Sequence, residues 1–106
     1  MQNLKGVVKK LPIKYYGKNT VLMAYKPPKR VTIEEITDFV QKKSNALKNK
    51  GFKGQISVAV KWDHGWRSGY FEEVGDPVEL YELGDSDFGQ VPQADFSEFQ
   101  IIVIPE

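Results

Sequence analysis

Ile33, Ile36, Phe39/Val40 and Leu47, with Ala46 alongside, recur at the spacing of one helix face, and the residues between them are largely polar. This pattern predicts an amphipathic helix from about Ile33 to Lys50. Thr32-Ile33-Glu34-Glu35 supplies a capping box at its start, a hydroxyl for an early backbone N–H and a carboxylate three residues on. Pro27-Pro28 precedes it and cannot easily be helical, and Gly51 follows as the C′ residue. Glu34, Glu35 and Asp38 at the start and Lys42, Lys43, Lys48 and Lys50 toward the end suit the helix dipole.

Elsewhere the period falls to two. Ile56, Val58, Val60 and Trp62 alternate with Ser57, Ala59, Lys61 and Asp63, the signature of a half-buried strand with Trp62 ending its inward series. His64-Gly65 then makes a turn, and Trp66 to Glu72 returns as the second arm of a hairpin. After a turn at Gly75-Asp76-Pro77, a short strand is expected at Val78 to Leu83. Thr20 to Tyr25 and Phe99 to Ile104 are dense in strand-favouring residues, Lys5 to Ile13 less so, and Gly84 to Ser97 reads as a loop.

One long helix followed by antiparallel strands predicts an α+β fold: a single two-layer domain over residues 1–106, with the helix packed on a mainly antiparallel sheet. The order of hairpin, helix and further strands, over roughly Lys5 to Tyr81, resembles the β-grasp arrangement of ubiquitin-like proteins. That resemblance is topological and implies no conjugation, because the sequence closes on Ile104-Pro105-Glu106 rather than a diglycine.

Charge sharpens the picture. Residues 1–53 hold 13 Lys/Arg against 3 Asp/Glu, and residues 54–106 hold 2 against 11, so a net charge of +1 hides a basic half and an acidic half. Were the fold to set the halves on different faces, one end would suit a polyanion or head-to-tail partners; laid together, they neutralise internally. With no cysteine, disulfides and thiolate metal sites are excluded. The start of the chain lacks the apolar stretch of a secretory signal, and Val21 to Tyr25 and Ile101 to Ile104 fall far short of the roughly 20 residues of a membrane helix. The expectation is a cytoplasmic protein with no membrane association.

Two surfaces compete for a functional role. Lys42, Lys43, Lys48, Lys50 and Lys53 cluster at the end of the helix and the following turn, a candidate polyanion site, to which Lys26-Pro-Pro-Lys-Arg30 adds a second basic run. Against it, lysines at a helix C-terminus stabilise the helix and solvate its face, and arginine is nearly missing. The second surface is the aromatic and acidic hairpin, with Trp66, Tyr70, Glu72, Glu73 and Asp76 as candidates for contact with another protein.

Catalytic chemistry has little to stand on. His64 is the sole histidine and sits in a turn, and a zinc site built without cysteine would be mostly carboxylate. Asp85-Ser86-Asp87-Phe88-Gly89 is similar to a calcium loop but lacks a third oxygen ligand before the glycine and a closing glutamate. No catalytic residue, metal or cofactor is expected. The reading is therefore a small non-enzymatic interaction or accessory module, of the kind often encoded by viruses and mobile elements, with nucleic-acid binding through the basic half as the alternative. Phe99 to Ile104, strongly apolar, would also support self-association if it lay at a sheet edge.

Overall fold

The structure, a computed structural model, describes residues 7–15, 17–62, 65–80 and 95–106. Strands β1 (Val7–Tyr15) and β2 (Lys18–Lys26) form a hairpin that reverses at Gly17, whose φ of 79° suits glycine. A short strand β3 (Val31–Thr32) leads into helix α1 (Ile33–Asn49). Strands β4 (Gly54–Trp62) and β5 (Gly65–Glu73) make a second hairpin, followed after the 74–80 segment by β6 (Asp95–Phe96) and β7 (Glu98–Pro105). The expected α+β architecture is present: one helix lies across a five-stranded sheet of order β1-β2-β7-β4-β5, every pair antiparallel. In a β-grasp sheet the first strand lies beside the last and parallel to it; here β2 holds that place and runs antiparallel. The likeness stops at element order.

The helix begins and ends as its sequence dictates. Thr32 Oγ1 accepts from the Glu35 N–H at 3.2 Å and Glu35 Oε1 accepts from the Thr32 N–H at 2.9 Å, so the capping box is complete. At the other end the Phe52 N–H donates to Leu47 O and the Gly51 N–H to Lys48 O, the paired bonds of a Schellman motif with Gly51 at φ 85°. Ile33, Ile36 and Val40 are buried, with Phe39, Leu47 and Phe52 packed partly against the same core. From the sheet this core takes Met23, Tyr25, Ile56, Val58, Val60, Tyr70, Phe99, Ile101 and Val103. Tyr25 stacks on Phe99 at 4.8 Å between ring centres, and Phe39 meets both rings edge-on. Burial also raises the Tyr25 hydroxyl above its ordinary pKa.

The strand expected from Val78 to Leu83 does not form at 78–80, and the rest of that span lies outside the described residues. Pro77 has no N–H to give a ladder, and side chains satisfy the backbone around it instead. Gln41 Oε1 accepts from the Val78 N–H at 2.7 Å, Gln41 Nε2 donates to Asp76 O at 3.1 Å, and the Tyr70 hydroxyl accepts from the Glu79 N–H at 2.9 Å. Val74, Val78 and Leu80 join the core beneath these bonds. Ser44, fully buried, accepts from the Gly75 N–H at 2.7 Å and completes the clamp between the helix flank and this segment. Ser44→Ala strands that N–H and is expected to cost about 1–3 kcal/mol in urea unfolding. Lys42→Ala, on the solvent side, should stay within about 0.5 kcal/mol. Equal midpoints for the two variants would show that the clamp contributes nothing.

Most of the span expected as a loop, 84–94, lies outside the described residues, but its end is structured: Asp95–Phe96 pairs with β3 and Phe96 is fully buried. Asp63, His64, the side chain of Trp62 and the Asp85 to Gly89 segment also lie outside the described residues.

Candidate protein-interaction surface

The side chains of one sheet face alternate inward under the helix, so those between them form the other face. The outer face follows from the register. Leu22 pairs with Ile102, Ile102 with Ser57 and Ser57 with Phe71, giving one row across four strands. Ala24, Gln100 and Ala59 form the next row, and Glu98, Lys61 and Trp66 the one beyond. On the opposite side of the Phe71 row lie Ile104, Gln55 and Glu73. Phe71 is 41% exposed and Trp66 45%, while Leu22 and Ile102 are partly exposed. Among the described residues, α1, the β3–β6 ribbon and the 74–80 segment all contribute to the core on the helix side, while on the outer face Ser57 and Ile104 are buried and the exposure concentrates at β5. Lys61 bridges Glu98 at 3.3 Å, so the face carries one internally paired charge couple beside Trp66.

The hairpin candidates divide between two faces and a turn. Trp66 and Glu73 stand on the outer face. Glu72 pairs with Ile56 and lies on the helix side, partly buried, and Asp76 is exposed in the turn against the helix. Tyr70 requires a correction as a surface residue, since it is 7% exposed and its hydroxyl holds the 74–80 backbone. The cause is a bulge: Val58 pairs with Tyr70 but Val60 with Arg67, so two residues of β5 oppose Ala59. Trp66 and Tyr70, four apart, would share a face in a regular strand; the bulge sends them to opposite faces. Gly69 within the strand was the signal that such an irregularity was present. Phe71 belongs to the same aromatic cluster of the hairpin in sequence, and the bulge sets it on the outer face.

Three of the five candidate lysines take different sides of the helix. Lys43 Nζ sits 5.7 Å from the centre of the Phe39 ring, on the flank that faces Tyr25 of β2. The stem of Lys48 lies against Gly75, on the opposite flank beyond β5, and leaves no room for a β-carbon there. Lys42, on the solvent side, pairs with Asp38 at 3.1 Å with both side chains well exposed. Lys50 and Lys53 are exposed at the end of the helix, where the Glu106 N–H donates to Lys53 O and the Val74 N–H to Gly54 O. Basic and acidic segments are therefore neighbours at this end, with Glu73, Asp76 and Glu106 close to the lysine-bearing turn.

A shallow cleft of about 140 Å³ lies at the end of the sheet where β4 begins and β5 and β7 finish, lined by Gly54, Gln55, Glu73, Ile104, Pro105 and Glu106. It is smaller than the roughly 300–1,000 Å³ typical of small-molecule sites. Among the described residues no group of three or more His, Cys, Asp or Glu is placed to hold a metal ion, and no helix is long and apolar enough to cross a membrane. Comparison with known protein families, curated proteins and solved structures finds no match for this chain.

Proposed function

We propose that the protein is a small non-enzymatic interaction module whose contact surface is the outer face of its sheet, centred on Phe71, Ile102 and Leu22 and bordered by Trp66. The observation that carries this reading is the exposure of two large aromatics, Phe71 and Trp66, on the outer face of β5, with the partly exposed Ile102 and Leu22 in the Phe71 row. A contiguous apolar patch rimmed by polar groups is what protein contacts use, with aromatic anchors contributing most of the affinity. The nucleic-acid alternative draws less support, because the lysines it needs fan around the helix and stand beside carboxylates that repel phosphate. A photo-crosslinking residue at position 66 or 71, expressed in the cell that encodes the protein, should yield protein adducts, and one at position 42 should not. Silence at both 66 and 71, or equal adducts from 42, would overturn the reading.

A further inference from the structure

We infer that the partner of the outer face is a protein segment carrying an arginine or lysine beside an apolar residue. The apolar side chain covers Phe71, and the basic one enters the cleft at the end of the sheet. The inference rests on the interaction reading and names the chemistry of the partner. Position is the first argument. Ile104, Gln55 and Glu73 form the row next to Ile102, Ser57 and Phe71, and all three line the cleft. The cleft therefore opens on the same face as Phe71, one row along, a step of about 7 Å in a strand. One short segment spans both.

Charge is the second. Two carboxylates, Glu73 and Glu106, line the cleft, and both residues are exposed. Among the described residues neither makes an ion pair, whereas Lys61 and Glu98 at the other end of the face satisfy each other. Lys53 offers its carbonyl to the Glu106 N–H but is not part of the lining. A phosphate or an acidic segment would be repelled here. A divalent cation is poorly served, since among the described residues no three His, Cys, Asp or Glu are grouped to hold one. A long basic side chain suits the remaining lining as well: its charged end meets the two carboxylates and the Gln55 amide oxygen, and its stem lies along Ile104 and Pro105. The half-exposed Phe71 ring then supplies the apolar anchor, and the cleft selects the sign of the residue beside it.

Titration of the nitrogen-15-labelled full chain with three peptides is the test: acetyl-Leu-Gly-Arg-amide and its counterparts ending in Gln or Glu, followed by NMR. The arginine peptide should shift the amide signals of Gln55, Phe71, Glu73 and Glu106. It should bind about fivefold or more tightly than the glutamine peptide, with the glutamate peptide weakest. Glu73→Gln and Glu106→Gln should each weaken the arginine peptide about threefold, while Phe71→Ala should weaken the arginine and glutamine peptides alike. Glu34→Gln, the same change of charge at the exposed start of the helix, should leave binding unchanged. Equal affinity for the arginine and glutamine peptides, signal shifts confined to other parts of the chain, or an equal loss from Glu34→Gln would overturn the inference. Protein adducts from position 66 or 71 alongside such a failure would leave the interaction reading intact; the same failure with silence at both positions would end both.

Discussion

Phe99→Ala is expected to remove about 3–5 kcal/mol of stability, a large share of the roughly 5–15 kcal/mol available to a domain of this size. Phe99 is fully buried in the central strand, opposite Tyr25 on β2 and Val60 on β4. Its ring stacks on Tyr25 with planes 12° apart and takes the edge of Phe39 from the helix at 5.6 Å. Truncation therefore opens a cavity where sheet, helix and both hairpins meet, and neighbours drawn from three elements cannot all relax into it. Urea unfolding reads the loss as a lower midpoint at an unchanged slope. Phe71→Ala, an aromatic of the same size on the other face and 41% exposed, should cost under about 1 kcal/mol. A similar cost for the two variants would mean that the outer face is as buried as the inner one.

Gly54→Ala should be comparably damaging for a different reason. Gly54 opens β4 at a φ of 155°, and a β-carbon there would run into the carbonyl oxygen of Ile104 on β7, with the Phe52 ring and Pro105 Cα each 3.0 Å away. The obstacle is backbone of the central strand, which cannot swing aside as a side-chain tip can. Steric overlap and an unfavourable backbone region together should cost about 3–5 kcal/mol. Gly51 supplies the comparison: it has a φ of 85° with nothing near its missing β-carbon, so Gly51→Ala should cost only about 1 kcal/mol. Thermal melts of the two proteins should rank them clearly, and equal losses would mean that conformation alone, and not the close approach of β4 to β7, sets the price.

The helix was legible in full because its determinants are local: a hydroxyl and a carboxylate three apart, a periodic apolar stripe and a closing glycine. The β4 alternation was equally plain. Strand order was not, since nothing in Phe99 to Ile104 states that its neighbours are β2 and β4, some 80 and 45 residues earlier by register. The strand expected at Val78 failed because its apolar residues signalled burial correctly, while the bonds that fix its backbone come from Gln41 and Tyr70, distant in sequence. For the candidate surface, residue types drew attention to the aromatic hairpin, but a single bulge decides which of its aromatics face out. It leaves Trp66 and Phe71 exposed and buries Tyr70. Lys42, Lys43 and Lys48, close in sequence, take different sides of the helix because successive positions point around its axis.

The central place of β7 bears on how the chain assembles. Each hairpin closes over a short stretch of sequence and can form early, but each also ends in a strand, β2 or β4, whose remaining edge is complete only when β7 arrives. Until then the chain consists of two half-sheets around a vacant slot one strand wide. Insertion of β7 is thus the step that converts local pieces into one cooperative unit, and a matching strand from another molecule can compete for the same slot.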